Sequence, residues 1–150
     1  MDDIDRRLLR DLQANGRITN QELAQRNSLS PAACHERVRR LKEQGYIKGY
    51  TAILDPDKLD RSLLIFVEIH LDRTTSDIFD DFATAIRKMP DVLECHMVAG
   101  GFDYLVKARV ADMEAYRRFL GDTLVRLPGV RETRTYAVLE EVKNTLAIPV

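Results

Sequence analysis

The chain has little of what marks a secreted, membrane or metal-binding protein. It holds two cysteines, Cys34 and Cys95, on apolar-periodic positions of separate expected elements with no second thiol nearby. They read as buried reduced thiols rather than a disulfide or a redox pair. Three histidines, His35, His70 and His96, lack the spacing that places two ligands on one face, so no metal site is expected. No apolar run reaches the roughly 18 residues of a membrane span, and the start Met1-Asp2-Asp3-Ile4-Asp5 is acidic where a signal peptide needs an apolar segment. The expected location is the cytoplasm, with no membrane partner. A nucleophile beside a base, paired carboxylates in apolar surroundings and phosphate-loop glycines before a helix are all missing, so neither an enzyme nor a cofactor is expected.

What is present is ordinary in composition and uneven in charge. With 45% hydrophobic and 31% charged residues the 150-residue chain can bury a core, as one domain or two small ones. Residues 1–54 carry ten basic against seven acidic side chains, a net +3, while residues 55–150 carry 13 against 17, a net −4. A mildly basic head on an acidic body implies that only the head meets a polyanion. A charge of +3 is small, so useful affinity for double-stranded DNA needs several heads side by side.

The head is organised around residues 18–47. Thr19-Asn20-Gln21-Glu22 has the spacing of a capping box and starts a short helix. Asn27-Ser28-Leu29 interrupts it, and Ser30-Pro31 restarts a helix, with Ser30 as N-cap and Pro31 at the first helical position. That second helix runs to about Gln44 and ends at Gly45. Cys34, Val38 and Leu41 form its buried stripe, while Ala32, His35, Glu36, Arg39 and Arg40 point away. A helix with small residues at its start and a basic outer face suits entry into a DNA major groove; a solvated bundle helix is the plain alternative. An earlier helix from about residue 2 to Ala14 presents Ile4, Leu8, Leu9 and Leu12 to the pair, and Asn15-Gly16 stops it.

Tyr46 to Leu54 alternates weakly and reads as a short linker strand, closing a domain of residues 1–54; Asp55-Pro56-Asp57 opens a hinge over 55–61. The body, 62–150, begins with a strand over Ser62–Leu71, with Leu63, Ile65, Val67, Ile69 and Leu71 on one face. A helix from Thr75-Ser76 to Pro90, a strand from Asp91 to Val98, a turn at Ala99-Gly100-Gly101-Phe102 and a strand from Asp103 to Val110 follow. A helix from Asp112 to Leu127 and a strand from Val130 to Val142 complete it. Met89-Pro90-Asp91-Val92 and Leu127-Pro128-Gly129-Val130 recur at an offset of 38 residues, so the body is two βαβ units in tandem. The expected fold class is α+β: a three-helix, winged-helix-like helix-turn-helix domain followed by a ferredoxin-like βαββαβ domain with both helices on one sheet face. The other face carries Leu64 and Phe66, and a second copy of the same sheet is its natural cover.

Several segments together carry a family resemblance: Ile4-Asp5-Arg6 to Leu12, Asn15-Gly16-Arg17, Leu29-Ser30-Pro31, Arg37-Val38-Arg39-Arg40-Leu41, Gly45-Tyr46-Ile47-Lys48-Gly49-Tyr50, Ala99-Gly100-Gly101-Phe102-Asp103-Tyr104, and Leu127-Pro128-Gly129-Val130 with Thr133-Arg134-Thr135-Tyr136. In this order and spacing, over nearly the whole chain, they resemble the leucine-responsive and asparagine-regulator (Lrp/AsnC) family of transcription factors. The resemblance implies dimers through the β-sheets, octamers or higher assemblies, wrapping of DNA, and modulation by a small amino acid such as leucine or methionine. It also implies an effector site at Gly100, Gly101, Asp103 and Tyr104, with Met97, Met113, Tyr136 and Val138 at neighbouring positions. A glycine pair lets backbone N–H groups approach a ligand carboxylate, and Asp103 suits an ammonium; Gly-Gly between two strands also suits a plain hairpin turn. Family members often carry Ser or Thr and then Pro or Thr after the Ser-Pro of the recognition helix, where this chain has Ala32-Ala33. The reading that follows is a transcriptional regulator in which Ser30, Ala32, Ala33, His35 and Glu36 face base edges, and Arg17, Arg37, Arg39, Arg40 and Lys42 favour phosphates or groove acceptors. An effector-independent, nucleoid-type DNA-wrapping protein is the alternative.

Overall fold

Three helices fill the N-terminal unit, and each begins on a side chain that satisfies its first free N–H groups. The computed structural model describes all 150 residues. Helix α1 spans Asp3–Ala14, with a full capping box at its start: the Asp2 carboxylate accepts the Asp5 N–H at 2.8 Å, and Asp5 accepts the Asp2 N–H at 3.2 Å. Helix α2 spans Asn20–Arg26, where the expected box closes only halfway. Thr19 accepts the Glu22 N–H, but the Glu22 carboxylate pairs with Arg26 at 2.6 Å, a cation one turn on. Helix α3 spans Pro31–Glu43, capped by Ser30 and started by Pro31; beyond it Gly45 turns away at φ +78°.

Leu8, Leu23, Ala24 and Cys34 form the centre of this unit, with Ile4, Leu12, Ile18, Leu29 and Val38 packed around them. Tyr46–Leu54 forms no strand, in contrast to the expectation. A single extended segment with no partner in its own unit has no ladder to join. Tyr50 instead lies against Gly16 and under the Lys42 ammonium, 5.2 Å from the ring centre.

The chain divides into two compact units, residues 1–53 with 143–150, and residues 54–142. Residues 143–150 make their contacts with the first unit. There the Gln13 amide donates to the Ile148 carbonyl at 2.8 Å and accepts the Ile148 N–H at 2.6 Å.

In the second unit strands β1 (Leu63–Leu71), β2 (Val92–Met97), β3 (Tyr104–Val110) and β4 (Val130–Ala137) form one antiparallel sheet in the order β2-β3-β1-β4. Helix α4 (Ser76–Ile86) follows β1 and α5 (Met113–Arg118) follows β3, which is the ferredoxin-like order. Ile65, Val67, Ile69 and Leu71 alternate inward as expected and meet Phe82, Val106, Ala108 and Phe119 in a continuous apolar core. The expected helix over 112–127 is broken in three: α5, a π turn over Phe119–Thr123 and a 3₁₀ turn over Leu124–Arg126. Phe119 and Leu124 are five residues apart and both buried, and i→i+5 bonding is what brings such a pair to one side. The fourth strand ends at Ala137, five residues earlier than expected.

Candidate nucleic-acid interface and effector loop

The turn between α2 and α3 is built by side-chain amides. Buried Asn27 donates from Nδ2 to Asp11 on α1 at 2.8 Å and to the Leu23 carbonyl at 3.0 Å. Asn20 donates to the Pro31 carbonyl at 2.8 Å, tying the start of α2 to the start of α3. Ser28 takes a left-handed conformation at φ 55°, and the Leu29 N–H returns to the Ala24 carbonyl. Every one of these contacts fixes where α3 begins.

Cys34 and Leu41 are fully buried on α3, and on the outer side Ser30, Ala32, Ala33, His35, Glu36, Arg39, Arg40 and Lys42 are exposed, as is Arg17 before α2. Arg37 is placed differently from the expectation. Its guanidinium donates to Asp2 and Asp5, both at 2.8 Å, and its side chain is only 24% exposed. Arg40 also reaches the same Asp5 carboxylate, at 3.1 Å. Arg37 therefore locks α3 to α1, and Arg40 is shared between that lock and solvent. Burial alone would raise the Asp5 carboxyl, but the hydrogen bonds from Arg37 and the Asp2 N–H outweigh it and hold it below the usual range. The signal for this was in the sequence as three early aspartates, which also fit a helix dipole equally well.

Arg39 is engaged on its own helix. Its Nε and Nη2 donate to Glu36 at 3.0 and 2.6 Å, and its Nη1 donates to Glu43. The Arg39 hydrogen bond keeps the Glu36 carboxyl low. A groove of 270 Å³ beside this face is bordered by His35, Arg39, Lys42 and Tyr50.

In the body, the turn between β2 and β3 leaves Gly100 and Gly101 exposed, with open space where a Cβ would stand on either. Its neck is closed by Val98 N–H to the Asp103 carbonyl at 3.0 Å. Asp103 fastens the turn to β1: its N–H meets the Ile69 carbonyl at 3.0 Å and its Oδ2 accepts the Leu71 N–H at 2.7 Å, where the β1–β4 register shifts. Tyr104 points into the core, stacked on Phe82 at 4.4 Å, so its ring is not at the loop surface. Met97 lies exposed at the same end of the sheet. Met113 and Val138 lie at the opposite end, the former just beyond Val110 and the latter bonded to the Leu64 carbonyl. Tyr136 stands between, on the face away from the helices, and donates to Glu68 at 3.1 Å. Within one chain, then, the eight expected effector residues do not converge on one pocket. Two aromatic rings at the loop were not among the expected effector residues: His70, whose Nε2 is enclosed without a partner, and the turn residue Phe102, edge-on to it at 6.3 Å.

Residues 1–48 match the winged helix-turn-helix DNA-binding family and residues 64–148 match the Lrp/AsnC ligand binding domain. The chain belongs to the Lrp/AsnC family. It is 59% identical over 145 residues to the leucine-responsive regulatory protein of Escherichia coli strain K12, covering 97% of this chain and 88% of that protein, and 58% identical over the same length to that of Salmonella typhimurium. Among solved structures, a transcriptional regulator of Neisseria meningitidis crystallised as an L-Met complex superposes with a TM-score of 0.95 at 38% identity, covering 99% of this chain and 96% of that one. An AsnC family regulator of Agrobacterium tumefaciens gives 0.94 at 29% identity, covering 99% and 97%. This Lrp/AsnC member is a DNA-binding transcription regulator with a ligand-binding body, and not an enzyme. No helix is long and apolar enough to cross a membrane.

Proposed function

We propose that α3 reads operator DNA while the body binds a small amino acid that alters how copies of the chain assemble. The observation that carries the DNA half is the division of α3 into a face held by Cys34, Leu41 and the Asp5–Arg37 lock and a face left to solvent. On the free face Ser30, Ala32, Ala33, His35 and Glu36 meet base edges, and Arg17, Arg39, Arg40 and Lys42 serve phosphates or groove acceptors. Arg37 drops out of the contact set. Arg39 exchanges its two glutamates for DNA, and where it reads a base Arg39→Ala weakens operator binding by about 1–3 kcal/mol in a gel-shift titration at fixed salt. Unchanged affinity with an intact fold removes it from the site.

The effector half is supported by the open Gly100-Gly101 backbone beside a fixed Asp103, and by the relative solved with L-Met. Asp103 Oδ2 is committed to the Leu71 N–H, so its other oxygen is the one to receive an ammonium. The scatter of Met97, Met113, Tyr136 and Val138 along the sheet favours a site completed by a second copy. The sheet face away from the helices supports self-association: Phe66, Leu105 and Tyr136 lie among pairs already neutralised, such as Lys107–Glu94 at 2.9 Å. Dimers through this face, and octamers or higher forms built from them, follow. Light scattering with and without L-leucine and L-methionine tests the reading: a ligand-dependent change in mass supports it, and an invariant mass with no saturable heat in calorimetry favours a plain DNA-wrapping protein.

A further inference from the structure

The second unit holds a cavity of 340 Å³ at the end of the sheet remote from the glycine loop. Strand β3 runs from one to the other, so its seven residues separate them by about 20 Å. The floor is apolar, made by buried Val110 and Phe119. Around it stand two guanidinium groups, Arg61 and Arg118, and two carboxylates, Asp91 and Asp122.

The ion pairs of these four charges are long, although Arg61 also donates from Nη1 to the Asp60 carbonyl at 3.0 Å. Arg61 stands 3.8 Å from Asp91, Arg118 stands 3.5 Å from Glu114, and Asp122 stands 3.8 Å from Arg126. No other ion pair in the chain is longer than 3.2 Å. None of the three pairs is within good hydrogen-bonding distance, so a ligand offering shorter bonds displaces no strong ion pair and leaves the Arg61–Asp60 contact in place. The wall is also irregular in the way that ligand sites often are: the π turn over Phe119–Thr123 supplies Phe119, Asp122 and Thr123, and left-handed Asp60, at φ 53°, presents Arg61.

We propose that this cavity is a second small-ligand site, for a zwitterion of the α-amino-acid class. The balance of charge selects that class. A dianion meets Asp91 and Asp122, and a dication meets Arg61 and Arg118. A zwitterion places its carboxylate on a guanidinium, its ammonium on a carboxylate and its side chain over Phe119. The site stands apart from the glycine-loop reading, and each can fail without the other.

Equilibrium dialysis of the full chain with a panel of radiolabelled amino acids, including L-methionine and L-leucine, counts sites per chain. Two variants separate them. Arg61→Gln with Arg118→Gln removes the cavity's cations from exposed positions, and Gly100→Leu fills the loop where a side chain meets no neighbour. The expected result is two sites per chain in the wild type and one in each variant, with circular dichroism unchanged. If the double variant binds as many molecules as wild type, the cavity is not a site. If Gly100→Leu abolishes all binding, the loop alone binds and the proposal is overturned. If only the double variant loses a site, the cavity stands and the loop reading falls. Binding of no amino acid in the panel overturns both.

Discussion

The two compact units reach a defined core by different means. The second packs a continuous apolar cluster across one face of a four-stranded sheet and buries no charged or amide side chain. The first has only a handful of buried apolar residues, and both of the chain's buried polar side chains, Asp5 and Asn27, belong to it. A small core offers little apolar area, so shape alone leaves the packing of three short helices underdetermined. Asp5, bridging Arg37 and Arg40, and Asn27, bridging Asp11 and Leu23, supply direction. The body has volume, and the head has keys.

That contrast can be broken from either side. The largest effect is expected from Phe82→Ala: the ring is fully buried and stacked on Tyr104, and large-to-small changes at such sites cost about 3–5 kcal/mol. Hydrogen exchange should show lost protection in β1 and β3 and unchanged protection in α1 and α3. Asp5→Ala is the matching lesion in the head. It leaves Arg37 without its inner partner, and since that guanidinium can still reach Asp2 and water, the expected cost is about 2–3 kcal/mol rather than the full penalty of a broken buried pair. Protection should fall in α1 and α3 and stay put in the sheet. A loss spread evenly over both units after either substitution contradicts the division. Ser30→Ala removes only the N-cap of α3 and should cost about 1 kcal/mol, read as a lower melting temperature with the apolar packing intact.

How much of this could be read in advance follows the same line. Alternation over Leu63–Leu71 and the 38-residue repeat announced the sheet and its order, because apolar periodicity is the force that builds it. Ser30-Pro31 and Gly45 bounded α3 because caps are local. What escaped was polar and long-range. Arg37 and Arg39 are two residues apart on one helix, and no pattern says that one turns inward to Asp2 and Asp5 while the other is held by Glu36 and Glu43. The strand expected at Tyr46–Leu54 failed for a similar reason, since alternation signals a strand only where a ladder partner exists. At the candidate effector site Gly100 and Gly101 were legible as a turn, but the inward aim of Tyr104 depends on the pleat of β3 against α4.

Acid should separate the two units most finely. Asp2 is lowered to about 2, first by the Asp5 N–H and then by Arg37, and Asp5 is held low by Arg37 against its own burial. A carboxyl whose pKa is depressed in the folded state takes its proton first in the unfolded state. Its stabilisation is therefore complete above the ordinary value of 3.8 and erodes as pH falls from there toward about 2. The body carries depressed carboxyls too, Glu94 beside Lys107 and Asp77 beside Thr75, but both are exposed and neither joins its core to anything. The head should accordingly open first. Limited pepsin digestion between pH 4 and pH 2, with cut sites mapped by mass spectrometry, should show cleavage within residues 1–53 before cleavage within 54–142. In an Asp5→Asn variant, which keeps the shape and loses the charge, head cleavage should already be present at the top of that range. Simultaneous cleavage of both units in the wild type would mean that the Asp5 lock does not set the head's acid stability, and that its small apolar core suffices alone.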